Sequence, residues 1–290
     1  MGAYIETAPD ERAPLQIRGG PLRAISYPSP IASAQVKSAL LLAGLQTVGR
    51  TEIVEPSPSR DHTERLLRVF GASVETGARM VLHGPARLEA AELIIPGDFS
   101  SAAFFLCVAA ARPSSRCIVE QVGLNPLRIG ALKVLSEMGA TVEILDVDDR
   151  SPEPRGTISI TGRPLQGITI SADRIPSLLD ELPALCIAFA LAEGESIVRG
   201  AAELRVKESD RIALLVRNLR ACGIAAEELP DGFVVQGGSV RGGAIETGGD
   251  HRIAMAFAAL ALSSKEGILL DDRSCIASSY PGFEEALRTL

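Results

Sequence analysis

The chain has 290 residues, 46% hydrophobic and 22% charged, a balance that fits one or two well-buried globular domains and excludes a disordered chain. Its 29 basic side chains face 36 acidic ones, for a net charge of -7, and with 8 Phe, 3 Tyr and no Trp there is little to stack on bases, which argues against nucleic-acid binding. Five scattered cysteines (Cys107, Cys117, Cys186, Cys222, Cys275) form no C-x-x-C pair, so neither a disulfide framework nor a zinc site is indicated and a reducing compartment is expected.

The first predicted feature is the glycine of "MGAYIE", which returns in "FGASVE", "MGATVE" and "CGIAAE". Gly2, Gly71, Gly139 and Gly223 stand 69, 68 and 84 residues apart, and each fits a helix C-cap that leads into a strand. Next comes "SPIASAQVKSALLLAGL", an apolar helix opened by Ser33, then the strand "TEIVE". "DHTE" predicts a second helix capped by Asp61, with Glu64 at the capping-box position. The strand "RMVLHG" follows, and then the hinge "LIIPG" over residues 93–97, where Pro96 and Gly97 supply the turn chemistry.

The pattern then repeats. "GDFSSAAFFLCVAAA" is an apolar helix at Asp98, whose run from Ala102 to Ala111 is about half of the roughly 20 residues that a membrane span requires. Ser100 and Ser101 are expected to help cap it, and "CIVEQV" is the strand after it. In "GLNPLRIG", Asn125 and Pro126 read as a turn and helix entry, and "GTISITG" closes the repeat. A third repeat runs from "SLLDELPALCIAFALAEG", with Asp180 as cap, through "ESIVRG" and the helix in "RVKESDRIALLVRNL", with Ser209 as cap, to "FVVQGG". A fourth opens with "GGDHRIAMAFAALALSS" at Asp250 and continues into "GILLDD".

The class is therefore α/β, built from repeated β-α-β-α-β-β units of about 70 residues whose first helices are apolar on all sides and should be buried. Residues 1–96 and 97–290 are expected to form separate domains. Met1 aligns with Phe70, Met138 and Cys222, at the end of a second helix, so the chain opens in mid-repeat and an upstream segment is expected. Exposed apolar surface in the first domain, and a tendency to aggregate, should follow.

Three helix starts carry cations: Arg60 ahead of Asp61, Lys207 and Arg211 around Ser209, and His251 with Arg252 behind Asp250. Each cation there costs about 0.3 to 1 kcal/mol against the helix dipole, so a compensating anion is expected. The bland alternative is exposed pairing of Arg211 with Asp210 or Glu208, and of Arg252 with Asp250. His62 and His251, both at helix starts, read as structural residues rather than as metal ligands.

Seven stretches in this order, "SAQVKSALLLAGL", "SRDHTERLLRVFGA", "GDFSSAAFF", "GLNPLRIG", "LLDELPAL", "RVKESDRI" and "GDHRIAMAF", resemble the 3-phosphoshikimate 1-carboxyvinyltransferase (EPSP synthase) family. The resemblance implies an inside-out α/β fold of two domains with three units each, closing on substrates, and truncated here at its N-terminus. It implies transfer of the enolpyruvyl group of phosphoenolpyruvate to the 5-hydroxyl of shikimate 3-phosphate, with release of phosphate and with no metal or organic cofactor. A cytoplasmic monomer without nucleic-acid or membrane partners is expected.

By the same resemblance, Ser33, Ala34, Gln35, Arg60, Asp180 and Lys207 hold shikimate 3-phosphate, and Gln35, Arg211 and Arg252 hold phosphoenolpyruvate. Asp180 accepts the proton of the attacking hydroxyl, and Glu208 takes part in protonating the methylene carbon. Two positions depart from the pattern. Ala34 stands where some members have serine, and "IASSYPGF", residues 276–283, has serines where some carry a lysine toward phosphoenolpyruvate. The family's first Lys-Ser pair, its Asn-Ala-Gly-Thr-type loop and one phosphoenolpyruvate arginine have no counterpart in the chain. Two alternatives stand beside this reading: a non-catalytic remnant that binds shikimate 3-phosphate weakly, and a UDP-N-acetylglucosamine enolpyruvyl transferase relative. "RVKESDR" with "GDHRIAM" favours the shikimate enzyme over the latter.

Overall fold

The computed structural model describes residues 1–77 and 79–290. The chain divides into two compact units, Met1–Ile94 and Ile95–Leu290, with the boundary inside the "LIIPG" stretch.

The first unit begins with an antiparallel hairpin, β1 (Tyr4–Ala8) and β2 (Arg12–Arg18). One full repeat follows: β3 (Ser26–Pro28), α1 (Ala34–Gly44), β4 (Gly49–Val54), α2 (His62–Val69), β5 (Val74–Glu75) and β6 (Met80–Gly84). Its sheet runs β3-β4-β6-β5, with β3 parallel to β4 and the other pairs antiparallel. Among the described residues, eight buried apolar side chains, including Leu41, Ile53, Leu67 and Leu82, cluster as its core.

The second unit holds α3 (Phe99–Ala111), β7 (Arg116–Gly123), α4 (Gly130–Glu137), β8 (Thr141–Asp148) and β9 (Arg155–Thr161) as one repeat. A further repeat comprises β10 (Thr169–Ile170), α5 (Leu182–Leu191), β11 (Glu195–Val198), α6 (Arg211–Ala221), β12 (Ala225–Leu229) and β13 (Gly232–Gln236). The chain ends through β14 (Gly243–Ile245), α7 (His251–Leu260), β15 (Ile268–Leu270) and the short α8 (Phe283–Leu287). The order β10-β11-β13-β12 reproduces that of the first unit, while β7-β9-β8 lacks a full first strand and has instead a parallel bridge from Gly97 to Val122.

The repeat is also legible in its glycines. Gly71, Gly139 and Gly223 all have positive φ, the left-handed conformation that ends a helix without steric cost. At the ends of β6, β9 and β13, Gly84, Gly162 and Gly237 pass so close to a neighbouring helix end that an added Cβ would lie 2.4, 2.0 and 2.0 Å from a backbone oxygen.

Helices α3, α5 and α7 pack against one another at the centre of the second unit. Every described residue of α5 except Leu191 is buried, as the uniformly apolar sequence requires. The expectation of a buried first helix fails for α1, which buries only Lys37, Leu41 and Gly44 and leaves Leu42 exposed. The small core of its unit covers one face and no more. The hairpin shows the same shortfall. Leu15 and Ile17 of β2 occupy the positions of Met80 and Leu82, Ile158 and Ile160, or Phe233 and Val235, counted from the glycine after each strand. Those six are buried, whereas Leu15 and Ile17 are 58% and 67% exposed.

Candidate active site

The N-termini of α6 and α7 in the second unit are joined by a buried ion pair. Arg211, the first residue of α6, is 1% exposed, and its Nε donates to Asp250 Oδ2 at 2.8 Å while Nη2 reaches Oδ1 at 3.3 Å. Asp250 is fully buried and also accepts from Ser209 Oγ at 2.9 Å and from the backbone N–H of Arg252 at 2.9 Å, which makes it the N-cap of α7. Burial works against the Asp250 charge, but the Arg211 hydrogen bonds and charge outweigh it and hold the carboxyl below its usual range.

The outer face of the Arg211 guanidinium is occupied by Glu208, whose Oε2 accepts from Nη2 at 2.6 Å. Glu208 is exposed, so the buried arginine is covered by a carboxylate that can move aside. The pairing of Arg211 with Glu208 that stood as the bland alternative is thus present, and Asp250 adds a second carboxylate from a distant part of the chain. Arg252, half-buried at the start of α7, donates from Nη1 to the backbone oxygen of Asp180 at 2.7 Å. Its side chain therefore pairs with Asp180's carbonyl, while Asp250 takes its backbone N–H. His251 beside it has a lowered pKa, from burial first and from the Arg252 charge next. Lys207 is paired with Glu203, one turn earlier in the chain.

Three expected caps are corrected. Asp210, not Ser209, caps α6, accepting from Ala213 N at 3.0 Å and pairing with Arg205 at 2.8 Å, while the Ser209 hydroxyl is spent on Asp250. Asp180 lies ahead of α5, whose N-cap position falls to Glu181. Asp61 occupies the N-cap of α2 without a side-chain cap hydrogen bond, and Glu64 turns inward to Lys37 rather than closing a capping box. Ser33, Asp98 and Asp250 cap α1, α3 and α7 as expected. Ser100 and Ser101 lie inside the first turn of α3, and Asn125 Oδ1 accepts from Leu127 N in the expected turn.

Glu181 is the group that sequence reasoning passed over. Its carboxyl is buried, accepts from Ser100 Oγ at 2.5 Å and stands 3.8 Å from Arg128, which also binds Ser100 and Asp98. Burial raises its pKa to about 7, against the opposing pull of Arg128 and of the Ser100 hydrogen bond. The only signal in the sequence was an acidic residue that opens an otherwise apolar helix, "DELPALCIAFAL".

In the first unit, Ser33 caps α1 by accepting from Val36 N at 3.4 Å, Ala34 is half-buried and Gln35 is exposed. Arg60 is half-buried on the segment ahead of α2. The structure thus groups Asp180, Lys207, Glu208, Arg211 and Arg252 near the starts of α5, α6 and α7, and Ser33, Ala34, Gln35 and Arg60 near the starts of α1 and α2. Among the described residues no group of His, Cys, Asp and Glu is arranged to hold a metal ion.

The comparisons with known proteins agree on one family. The model of the EPSP synthase (3-phosphoshikimate 1-carboxyvinyltransferase) family matches residues 1–287. A 3-phosphoshikimate 1-carboxyvinyltransferase of Geobacter sulfurreducens is 47% identical over 99% of the chain and 68% of its own length. That of Nitrosococcus oceani is 48% identical over 98% of the chain and 65% of its own length. The EPSP synthase structure from Acinetobacter baumannii superposes with a TM-score of 0.88 at 42% identity, over the whole chain and 68% of that protein. The chain spans about two thirds of the length of these relatives. With the repeat and the ordered motifs, this match places the chain in the EPSP synthase, or 3-phosphoshikimate 1-carboxyvinyltransferase, family.

Proposed function

We propose that the chain serves in the transfer of the enolpyruvyl group of phosphoenolpyruvate to the 5-hydroxyl of shikimate 3-phosphate, a step of aromatic biosynthesis. The observation that carries this reading is the cluster at α6 and α7, where Arg211 pairs with Asp250 and Glu208, Arg252 reaches the Asp180 carbonyl and Lys207 pairs with Glu203, in a chain 47% identical to a named member of the family.

Each residue type suits its part. Asp180 takes the proton of the 5-hydroxyl as its oxygen bonds to C2 of phosphoenolpyruvate, and Glu208 delivers a proton to the methylene carbon, giving a tetrahedral ketal phosphate. Elimination then returns a proton from that methyl carbon to Glu208 as the bond from C2 to the phosphate oxygen breaks and inorganic phosphate leaves. Arg211 and Arg252, together with Gln35, hold the phosphoenolpyruvate anion through both steps, fixed by Asp250 and by the Asp180 carbonyl before the ligand arrives. Binding of the anion displaces Glu208 from Arg211, and the exposed carboxylate so freed takes up from solvent the proton that it passes to the methylene carbon. Ser33, Ala34, Gln35, Arg60 and Lys207 hold shikimate 3-phosphate. Five unpaired cysteines fit the cytoplasmic location of this reading.

The test is phosphate release by the chain given both substrates. Release is expected only when shikimate 3-phosphate is present, and Asp180→Asn should slow it by about 100-fold or more. Release that is indifferent to shikimate 3-phosphate would overturn the reading. Calorimetric binding of shikimate 3-phosphate without any turnover would favour a binding remnant instead.

A further inference from the structure

Beneath the proposed shikimate 3-phosphate residues of the first unit lies a buried charge cluster to which the reaction assigns no part. Lys37, in α1, is 2% exposed. Its Nζ stands 3.0 Å from Glu55 Oε2, 2.7 Å from Glu64 Oε1 and 3.3 Å from the backbone oxygen of Ser59. An ammonium has three N–H bonds, and here there is one acceptor for each. Ser59 Oγ closes the ring by donating to Glu55 Oε1 at 2.5 Å.

The placement of the three acceptors is informative. Glu55 follows the last residue of β4, Glu64 lies in the first turn of α2, and Ser59 directly precedes Arg60. Lys37 therefore holds both ends and the middle of the one segment that carries Arg60. It does so from a position one helical turn after Ser33, whose backbone oxygen accepts from Lys37 N at 3.0 Å. A hydroxyl pair between Ser38 and Thr63, 2.6 Å apart, ties α1 to the same turn of α2.

Stability alone is a poor reason for such a cluster. Buried ion pairs commonly gain nothing over apolar side chains of similar size, because desolvation offsets the attraction. Here two carboxylates face one ammonium, and Glu64 Oε2 is buried without a hydrogen-bond partner among the described residues. What the arrangement supplies is direction: three bonds in fixed geometry to the middle and the two borders of a stretch, residues 55–61, that has no regular structure of its own.

We propose that Lys37 is a positioning residue, whose bonds to Glu55, Ser59 and Glu64 fix the Arg60 segment against the Ser33 end of α1 for recognition of the shikimate phosphate. The proposal rests on the reading that Arg60 and Ser33 meet that ligand. A looser segment would cost affinity through misplacement of the guanidinium rather than through loss of a contact.

The experiment compares the wild-type chain with Lys37→Met, with the triple variant Lys37→Met/Glu55→Gln/Glu64→Met and with Arg60→Ala. It measures shikimate 3-phosphate binding by calorimetry, amide hydrogen exchange over residues 55–61, and thermal unfolding. Lys37→Met should bind about 10-fold or more weakly and exchange faster across 55–61. The triple variant keeps no buried charge at the cluster, so it should recover the unfolding temperature and still bind weakly. A purely structural cluster would recover both. Arg60→Ala should lose binding while exchange over the segment stays at the wild-type rate. Wild-type affinity in the triple variant, or unchanged exchange in both lysine variants, would overturn the proposal. Failure of the wild-type chain to bind the ligand would count against the function proposed above, and the exchange comparison would still decide whether Lys37 fixes the segment.

Discussion

At the scale of single residues, the second unit turns on buried charge. Asp250 makes one carboxylate serve as helix cap, as partner of Arg211 and as acceptor for Ser209, so its replacement removes several bonds at once. Asp250→Asn should cost about 3 kcal/mol or more in urea unfolding, because it leaves the buried guanidinium uncompensated. A loss within a few tenths of a kcal/mol would mean that Glu208 alone satisfies Arg211. Glu181 predicts a pH effect of definite sign. Its folded pKa of about 7 lies above the ordinary 4.5, so the folded state holds the proton more tightly. The stability it contributes is complete below pH 4.5 and is lost as pH rises through 7. Glu181→Gln stays neutral throughout. The stability of this variant relative to wild type should therefore rise by up to about 3 kcal/mol between pH 4.5 and pH 8, and a difference independent of pH would contradict the burial argument.

At the scale of elements, the repeat assigns different work to similar helices. α3 and α5 are enclosed on all sides, and Phe189 in α5 is completely buried. Phe189→Ala should destabilise the second unit by about 3 to 5 kcal/mol, read as a lower denaturant midpoint. α1 has the same apolar character but a single covered face, so its cap matters more than its core contacts. The Ser33→Ala change should cost about 1 kcal/mol by loss of the bond to Val36 N. The helices and strands were legible because apolar period and capping residues are local properties. The precise caps were less so. Ser209 and Glu64 fit a local rule but are engaged otherwise, by Asp250 and by Lys37, from elements distant in sequence, while Asp180 falls one residue ahead of the cap position.

At the scale of the whole molecule, the two units differ in how much apolar surface they bury. Among the described residues the first has a core cluster of eight side chains, and the second a continuous core that spans all its helices. Small cores leave little margin over chain entropy. Calorimetry should therefore resolve two unfolding transitions, the first unit melting at lower temperature, and Phe189→Ala should shift only the upper one. A single cooperative transition displaced as a whole by that substitution would show that the units unfold together.

By itself the sequence determined the repeat, its α/β class, the order of the elements and the residues that carry the resemblance to the family, because periodicity, glycine stops and motif order are all written along the chain. Only the tertiary structure decided which charges neutralise which. Arg211 looked like a cation exposed at a helix start, and folding buries it against a carboxylate 39 residues away. Glu181 drew no reading from the sequence, and packing removes it from water beside Ser100, 81 residues earlier. The strength of a charge depends on its desolvation and on its nearest partner, and both are set by residues brought together from distant parts of the chain.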